Sequence, residues 1–192
     1  ARVEILASPV LKQTSEMAKD AGAKIALNGS FFKFKSGINT EDYNSVDYIR
    51  KENKQLAPNT WPSKGRAMHQ LGAIAIFRGE LFILKADMLR EWERYIKADE
   101  VLTTGPILRV SGEDLALSKD SFYTTRHPRT AVGKRADGTI LLLTADGRST
   151  EAAGVSLKEL QDIMRWLGAD YAINLDGGGS TTLYVEGASD NG

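Results

Sequence analysis

The run Asn174-Leu175-Asp176-Gly177-Gly178-Gly179-Ser180 holds the densest chemistry in the sequence. Consecutive glycines are conformationally costly and poor strand formers, so a triple marks backbone that must approach something closely. Free N–H groups from Gly177, Gly178, Gly179 and Ser180 would form a concave anion site, with the hydroxyls of Ser180 and Thr181 as further donors. Asp176 stands at the edge of that nest, where a carboxylate can act as acid, base or nucleophile. The competing reading is a plain turn with Asp176 as its cap.

Three further segments offer reactive residue types. Arg126-His127-Pro128-Arg129-Thr130 gathers two arginines and a histidine at the mouth of a strand. Arginine suits bidentate phosphate binding, although surface charge at a strand entry would look the same, and a histidine in such a place is more often structural. Asp146-Gly147-Arg148 follows the apolar Leu141-Leu142-Leu143. Asp-Gly is a common turn, yet the end of a buried strand is also where α/β folds hold ligands. Asn28-Gly29-Ser30-Phe31-Phe32 closes another short strand; Asn28 can donate and accept at once and so orient a sugar or a phosphate. Phe31 and Phe32 read as core. His69 has no partner in the sequence and reads as structural.

The elements that must position these groups follow from pattern. Residues 2–7 alternate and read as a strand. Ser8-Pro9 then opens a helix that Gly22 ends. Lys24 to Leu27 is a strand. Residues 33–66 are polar and irregular, with Pro58 and Pro62, and read as a long surface insertion. Tyr43, Tyr48 and Trp61 would let it fold over a site as an aromatic lid. Residues 71–77 and 81–84 form a hairpin, and Asp87 caps a helix through Leu89, Trp92, Tyr95 and Ile96. Residues 129–134 and 139–144 form another hairpin. Ser156 and Glu159 make a capping box for a helix with Leu157, Leu160, Met164 and Leu167 on one face. Residues 171–175 and 181–185 are strands. Hairpins with few helices indicate one α+β domain on a mixed, largely antiparallel sheet. Residues 141–175 read as strand, helix and strand, the two strands as parallel neighbours joined by a right-handed crossover.

Whole-chain properties narrow the function classes. The 192 residues suit one domain with a substantial core. Lys plus Arg and Asp plus Glu both number 25, so formal net charge is zero, which argues against nucleic acid as partner. Without cysteine there is neither a disulfide scaffold nor a thiolate zinc site. No apolar run approaches a membrane span, and no signal segment is visible.

Taken in order, Asn28-Gly29-Ser30-Phe31-Phe32, Gly105-Pro106, His127-Pro128-Arg129-Thr130-Ala131-Val132-Gly133, Asp146-Gly147-Arg148, Gly154-Val155-Ser156-Leu157 and the glycine run resemble the phosphodiester glycosidase family, to which the lysosomal uncovering enzyme belongs. The set spans most of the chain, and its order is more specific than any one piece. The absence of cysteine points to a bacterial member, and the resemblance implies an extracytoplasmic setting. The resemblance implies a single domain over residues 1–192 and cleavage of a sugar 1-phosphodiester at the glycosidic C1–O bond. Expected substrates are phosphate-linked surface glycans, teichoic acid-like polymers or exopolysaccharide. It assigns the phosphate to Arg129, Arg148 and the amides of 177–180, and the sugar carbon to Asp176 first and Asp146 second. His127 would move protons, Asn28 and Asn174 would orient sugar hydroxyls, and Thr130 and Thr181 would complete the substrate-binding set. No cofactor is called for. Two other readings stay open: a metal-assisted phosphodiesterase that cleaves P–O, with Asp146 and Asp176 as oxygen ligands, and a glycan-binding module without turnover.

Overall fold

A computed structural model describes residues 2–33, 43–60 and 67–188. In chain order its elements are α1 Thr14–Asp20, β1 Ile25–Leu27, β2 Ile49–Lys51, β3 Lys54–Ala57, β4 Gly72–Phe77, β5 Glu80–Lys85, β6 Glu100–Thr104, β7 Ile107–Val110, β8 Glu113–Asp114, α2 Ser121–Thr124, β9 Arg129–Lys134, β10 Ile140–Ala145, α3 Leu157–Trp166, β11 Tyr171–Asn174 and β12 Leu183–Val185. The strands make two five-stranded sheets, ordered β10-β9-β11-β7-β8 and β3-β2-β6-β4-β5, and a two-stranded ribbon of β1 and β12. Among the described residues every strand pairing is antiparallel. This is the single α+β domain expected.

Strand alternation builds the layers, since successive side chains point to opposite faces. Ile107, Val132 and Ile173 of one sheet meet Ile74, Ile76 and Leu102 of the other in a shared core. One residue along each strand, Leu108, Ala131 and Ala172 turn to the outer face, where Leu157, Leu160 and Met164 of α3 cover them. The outer face of the second sheet, through Ala73, Ala75 and Val101, packs on Tyr48 and Trp92. The two sheets approach closely at Gly72, where a Cβ would lie 2.5 Å from Ile107 and 2.9 Å from Ile173.

The capping box of α3 is present: Ser156 Oγ accepts from Glu159 N–H at 3.2 Å, and Glu159 Oε2 accepts from Ser156 N–H at 2.8 Å. Gly168, at φ +79°, closes the helix. Among the described residues no helix is long and apolar enough to cross a membrane.

Several local expectations are corrected. Residues 2–7 are not a strand, although Val3 N–H reaches Gly79 O at 3.3 Å. Helix α1 begins at Thr14 rather than after Ser8, and Gln13 at its N-cap supplies no side-chain hydrogen bond. The helix expected after Asp87 reduces to one short 3-10 turn, Trp92–Tyr95, although Asp87 accepts from Leu89 N–H at 3.0 Å. Part of the polar stretch is sheet: β2 and β3 form a hairpin, and β2 pairs with β6. Trp61 lies outside the described residues, and Tyr48 is buried against the sheet rather than free to close over a site. Strands β10 and β11 are not neighbours, since β9 runs between them.

Candidate active site

The glycine run emerges where β11 leaves the sheet, and its neighbours hold it firmly. Leu175 N–H donates to Thr130 O at 2.9 Å and Asp176 N–H to Gly29 O at 3.2 Å. Asn28, only 7% exposed, is the strut that joins three segments. Its Nδ2 donates to Asp176 O at 2.8 Å. Its Oδ1 accepts from Thr130 Oγ1 at 2.7 Å and from Thr182 N–H at 3.1 Å. Asn174 is fully buried and donates to Gly105 O at 3.0 Å and Leu175 O at 2.7 Å. Asn28, Thr130 and Asn174 are therefore scaffold for Asp176, with their main polar groups turned to the protein.

The glycines are required by close approach. A Cβ on Gly177 would lie 2.6 Å from Pro128 O. Gly178 sits at φ +59°, and its missing side chain makes room for the Arg148 guanidinium, whose Nη1 lies 3.0 Å from where a Cβ would be. The amides, however, do not form an open nest. Gly177 N–H bonds Asp176 Oδ1 at 2.8 Å. Gly178 N–H bonds Pro128 O at 2.9 Å, Ser180 N–H bonds Gly177 O at 3.1 Å and Thr181 N–H bonds Gly178 O at 3.2 Å. Among the described residues Gly179 N–H alone in the run lacks an acceptor, so the expected amide cradle reduces to one donor beside the Ser180 hydroxyl. The Thr181 hydroxyl is buried and has no partner among the described residues.

Asp176 is half-buried, and burial pushes its carboxyl above the usual carboxylate range. The Ser180 hydroxyl and the Gly177 amide oppose that shift without cancelling it.

Beside the run lies a cationic corner made of residues 126–129 and 146–148. Its backbones pack with almost no intervening side chain. A Cβ on Gly147 would lie 2.6 Å from Gly154 Cα, and one on Gly154, at φ +83°, would lie 2.6 Å from His127 C. Arg129 is buried, and its Nε and Nη2 are committed: Nε to Val155 O at 3.2 Å, Nη2 to Phe122 O at 2.6 Å and Thr125 O at 3.0 Å, with the guanidinium 4.8 Å from the Phe122 ring centroid. Burial and then Arg148 push Arg129 below its ordinary pKa. Arg126 pairs with Glu159 of α3. The exposed cation at the glycine run is therefore Arg148, whereas Arg129 is buried and, among the described residues, keeps only Nη1 without an acceptor.

His127 Nδ1 accepts from Arg148 Nη2 at 3.1 Å and Nε at 3.3 Å. A guanidinium has no lone pair to offer, so Nδ1 is the acceptor and the proton of the neutral ring sits on Nε2. Burial, then Arg148 and Arg129, hold His127 below its ordinary pKa. It can donate through Nε2 but is poorly suited to take a proton. Asp146 is exposed at the end of β10, and among the described residues no hydrogen bond joins it to Asp176. No three His, Asp or Glu side chains gather there as metal ligands, again among the described residues.

On the other side of Asp176 opens a cleft of about 700 Å³. Asp176, Ser180, Ser30, Phe31, Phe32 and Tyr43 are among the residues that line it. Residues 6–8 and 10–15 line it too, a segment read from sequence as strand and helix start with no role at a site. Lys12 and Asp176 are the charged residues lining it. Beside Phe31 lies a pair the sequence did not reveal: His69 Nδ1 bonds the buried Asp47 carboxylate. The partners stand 22 residues apart on different loops, with no motif to connect them.

The phosphodiester glycosidase family profile matches residues 21–192. N-acetylglucosamine-1-phosphodiester alpha-N-acetylglucosaminidase of human is 39% identical over 191 residues, and that of mouse 26% over 188, each alignment covering 90% of this chain. The chain spans 34% of the length of each of these relatives. A prophage-derived uncharacterized protein of Bacillus subtilis is 42% identical over 62 residues, 32% of this chain and 10% of that protein. The catalytic domain of the zebrafish N-acetylglucosaminidase, in a structure auto-inhibited by its pro-peptide, superposes with a TM-score of 0.69 at 22% identity, covering 93% of this chain and 59% of that one. That likeness bears on the fold alone.

Proposed function

The chain belongs to the phosphodiester glycosidase family, and on that premise we propose that it hydrolyses the glycosidic bond of a sugar 1-phosphodiester in a surface glycan or exopolysaccharide. One observation carries the reading: Asp176 lies between an almost uncharged aromatic cleft and a cationic corner. A sugar suits the first and a phosphate the second.

In this arrangement the sugar ring lies against Phe31, Phe32 and Tyr43, its hydroxyls toward the serines of the cleft. The phosphate lies over 178–180, where Arg148 and the Nε2–H of His127 meet it. As the C1–O bond breaks, its electron pair goes to the phosphate oxygen. A phosphomonoester departs far more readily than an alcohol, so what it needs is charge stabilisation, and Arg148 supplies it. Asp176 faces the sugar carbon and stabilises the positive charge that develops there. Its low-dielectric position strengthens that interaction. Asn28, Thr130 and Asn174 fix the backbone of Asp176, which is their contribution. Substrates of this kind lie outside the cytoplasm, and cell fractionation would test that setting.

The deciding experiment is a panel of sugar 1-phosphodiesters hydrolysed in oxygen-18 water. Label in the released sugar supports the proposal. Label in the phosphate would replace it with P–O cleavage, and saturable binding without product would make the domain a glycan-binding module.

A further inference from the structure

At about 700 Å³ the cleft that holds Asp176 is of a size that encloses drug-sized ligands, for which the range is roughly 300–1,000 Å³. A single hexose is smaller than such a ligand, so a sugar against Phe31, Phe32 and Tyr43 leaves room beside it. Aliphatic side chains share that cleft: Leu6, Val10, Leu11, Met17, Ile49 and Leu102.

This apolar lining comes close to the backbone of Asp176. Leu102 Cδ2 lies 3.8 Å from where a Cβ on Gly29 would be, and the Gly29 carbonyl accepts from Asp176 N–H at 3.2 Å. Leu6, Val10 and Leu11 belong to the stretch before α1, which has no regular secondary structure and is tied down by its backbone. Ile5 N–H bonds the Glu100 carboxylate, and Ile5 O accepts from Lys51 Nζ at 2.7 Å. Pro9 O accepts from Nδ2 of the buried Asn44 at 3.1 Å. Polar ties thus hold the stretch, while its apolar side chains line the cleft. Leu11 stays 51% exposed, an aliphatic group that the fold itself does not cover.

The chemistry of this lining selects among occupants. Aliphatic side chains offer no hydrogen bond to a second sugar, whose hydroxyls would leave water without a partner. An anionic substituent fares no better. Lys12, the cation lining the cleft, is already paired with Glu16 at 3.3 Å and Asp20 at 3.1 Å. A hydrocarbon chain gives up no hydrogen bond on leaving water and gains in proportion to the area it buries.

We propose that the sugar of the substrate carries an acyl chain longer than acetyl, bound by Leu6, Val10, Leu11, Met17, Ile49 and Leu102; this rests on the hydrolytic reading above and narrows its substrate class. Asp176 then works on the carbon of a sugar that the chain anchors, and these aliphatic residues set specificity without touching the reacting atoms.

The test is a series of glucosamine 1-phosphodiesters with one aglycone and acetyl, butanoyl, hexanoyl or octanoyl on nitrogen, assayed below their micelle concentrations. Across the series kcat/KM should rise by up to about fourfold per methylene, the equivalent of about 0.8 kcal/mol per buried CH₂, until the cleft is filled. Leu11→Asp, at a half-exposed position, should remove most of that rise. A series that is flat or falls beyond acetyl, or a rise that Leu11→Asp leaves intact, overturns the assignment. Faster cleavage of a disaccharide 1-phosphodiester than of any acylated member also overturns it, since a second sugar would then fill the space. If the wild-type chain cleaves no member of the series, the hydrolytic reading fails instead. Calorimetric titration with the matching N-acylglucosamine 1-phosphates then decides: affinity that grows with chain length keeps the acyl site, and equal affinities remove it.

Discussion

The two sides of the glycine run differ in how they treat charge. On one side Arg126, His127, Arg129 and Arg148 crowd together, and several of their donors are fixed on a carboxylate, on carbonyls or on one another. On the other side the cleft presents rings and hydroxyls, and Asp176 stands half-buried with no cation bonded to it among the described residues. The contrast teaches which groups are free to act. A charge already paired costs little to keep and has little left to offer a substrate. A carboxylate held by one hydroxyl and one amide, above its usual range, keeps its capacity for a developing positive charge.

The largest effect that would break this division is at the boundary. Asp176→Asn should lower kcat by at least about 10³-fold while the fold survives, as steady-state kinetics and thermal melts would check. The sign of the stability change is also fixed. Because burial raises the folded-state pKa of Asp176, the group's stabilising contribution is complete below the unfolded pKa and is lost as pH rises through the folded one. Asp176→Asn should therefore melt no lower than wild type at neutral pH, and a clear loss of stability there would contradict the burial argument. Near-normal turnover would remove Asp176 from the mechanism.

Next comes the cationic side. Arg148→Ala should reduce kcat/KM about 10²-fold for a phosphodiester, and much less for a sugar with a neutral leaving group. Equal losses on both substrates would mean that Arg148 does not meet the phosphate. Arg129 is expected to behave differently. Arg129→Met leaves the carbonyls of Phe122, Thr125 and Val155 without their donor, a loss of about 3 kcal/mol, readable as a lower denaturation midpoint. A stable Arg129→Met variant with greatly reduced turnover would restore Arg129 as the main phosphate ligand.

That exchange of roles shows where the sequence is legible and where it is not. The hairpins, the capping box at Ser156 and Glu159, and the arrival of distant segments at Asp176 all follow from local pattern. Such features depend on neighbours in sequence or on motifs. The use of individual donors does not. Nothing local says that Pro128 O takes the Gly178 amide, or that Phe122, Thr125 and Val155 claim the donors of Arg129. Residues 49–57 are misread because hairpin strands rich in Lys, Gln and Asn lack apolar alternation, and pairing with β6 overrides their composition. The cleft lining by residues 6–8 and 10–15 and the Asp47–His69 pair depend on contacts between loops, which leave no periodic trace.

The smallest expected effect sharpens the comparison most. His127→Gln should reduce kcat/KM only about tenfold, since it removes one neutral donor, and should leave the shape of the pH profile unchanged. The physical ground is the guanidinium on Nδ1, which together with burial holds the ring below its ordinary pKa. The same shift gives a stability signature. An unfolded chain takes up a proton at this histidine at a higher pH than the folded one, so wild type loses stability as pH falls from the ordinary histidine value toward the lowered one. His127→Gln should lose less across that window, a difference visible in melts at two pH values. If His127→Gln instead abolished the acid limb of kcat/KM, the proton acceptor would lie on the cationic side, and the division of labour across the glycine run would be reversed.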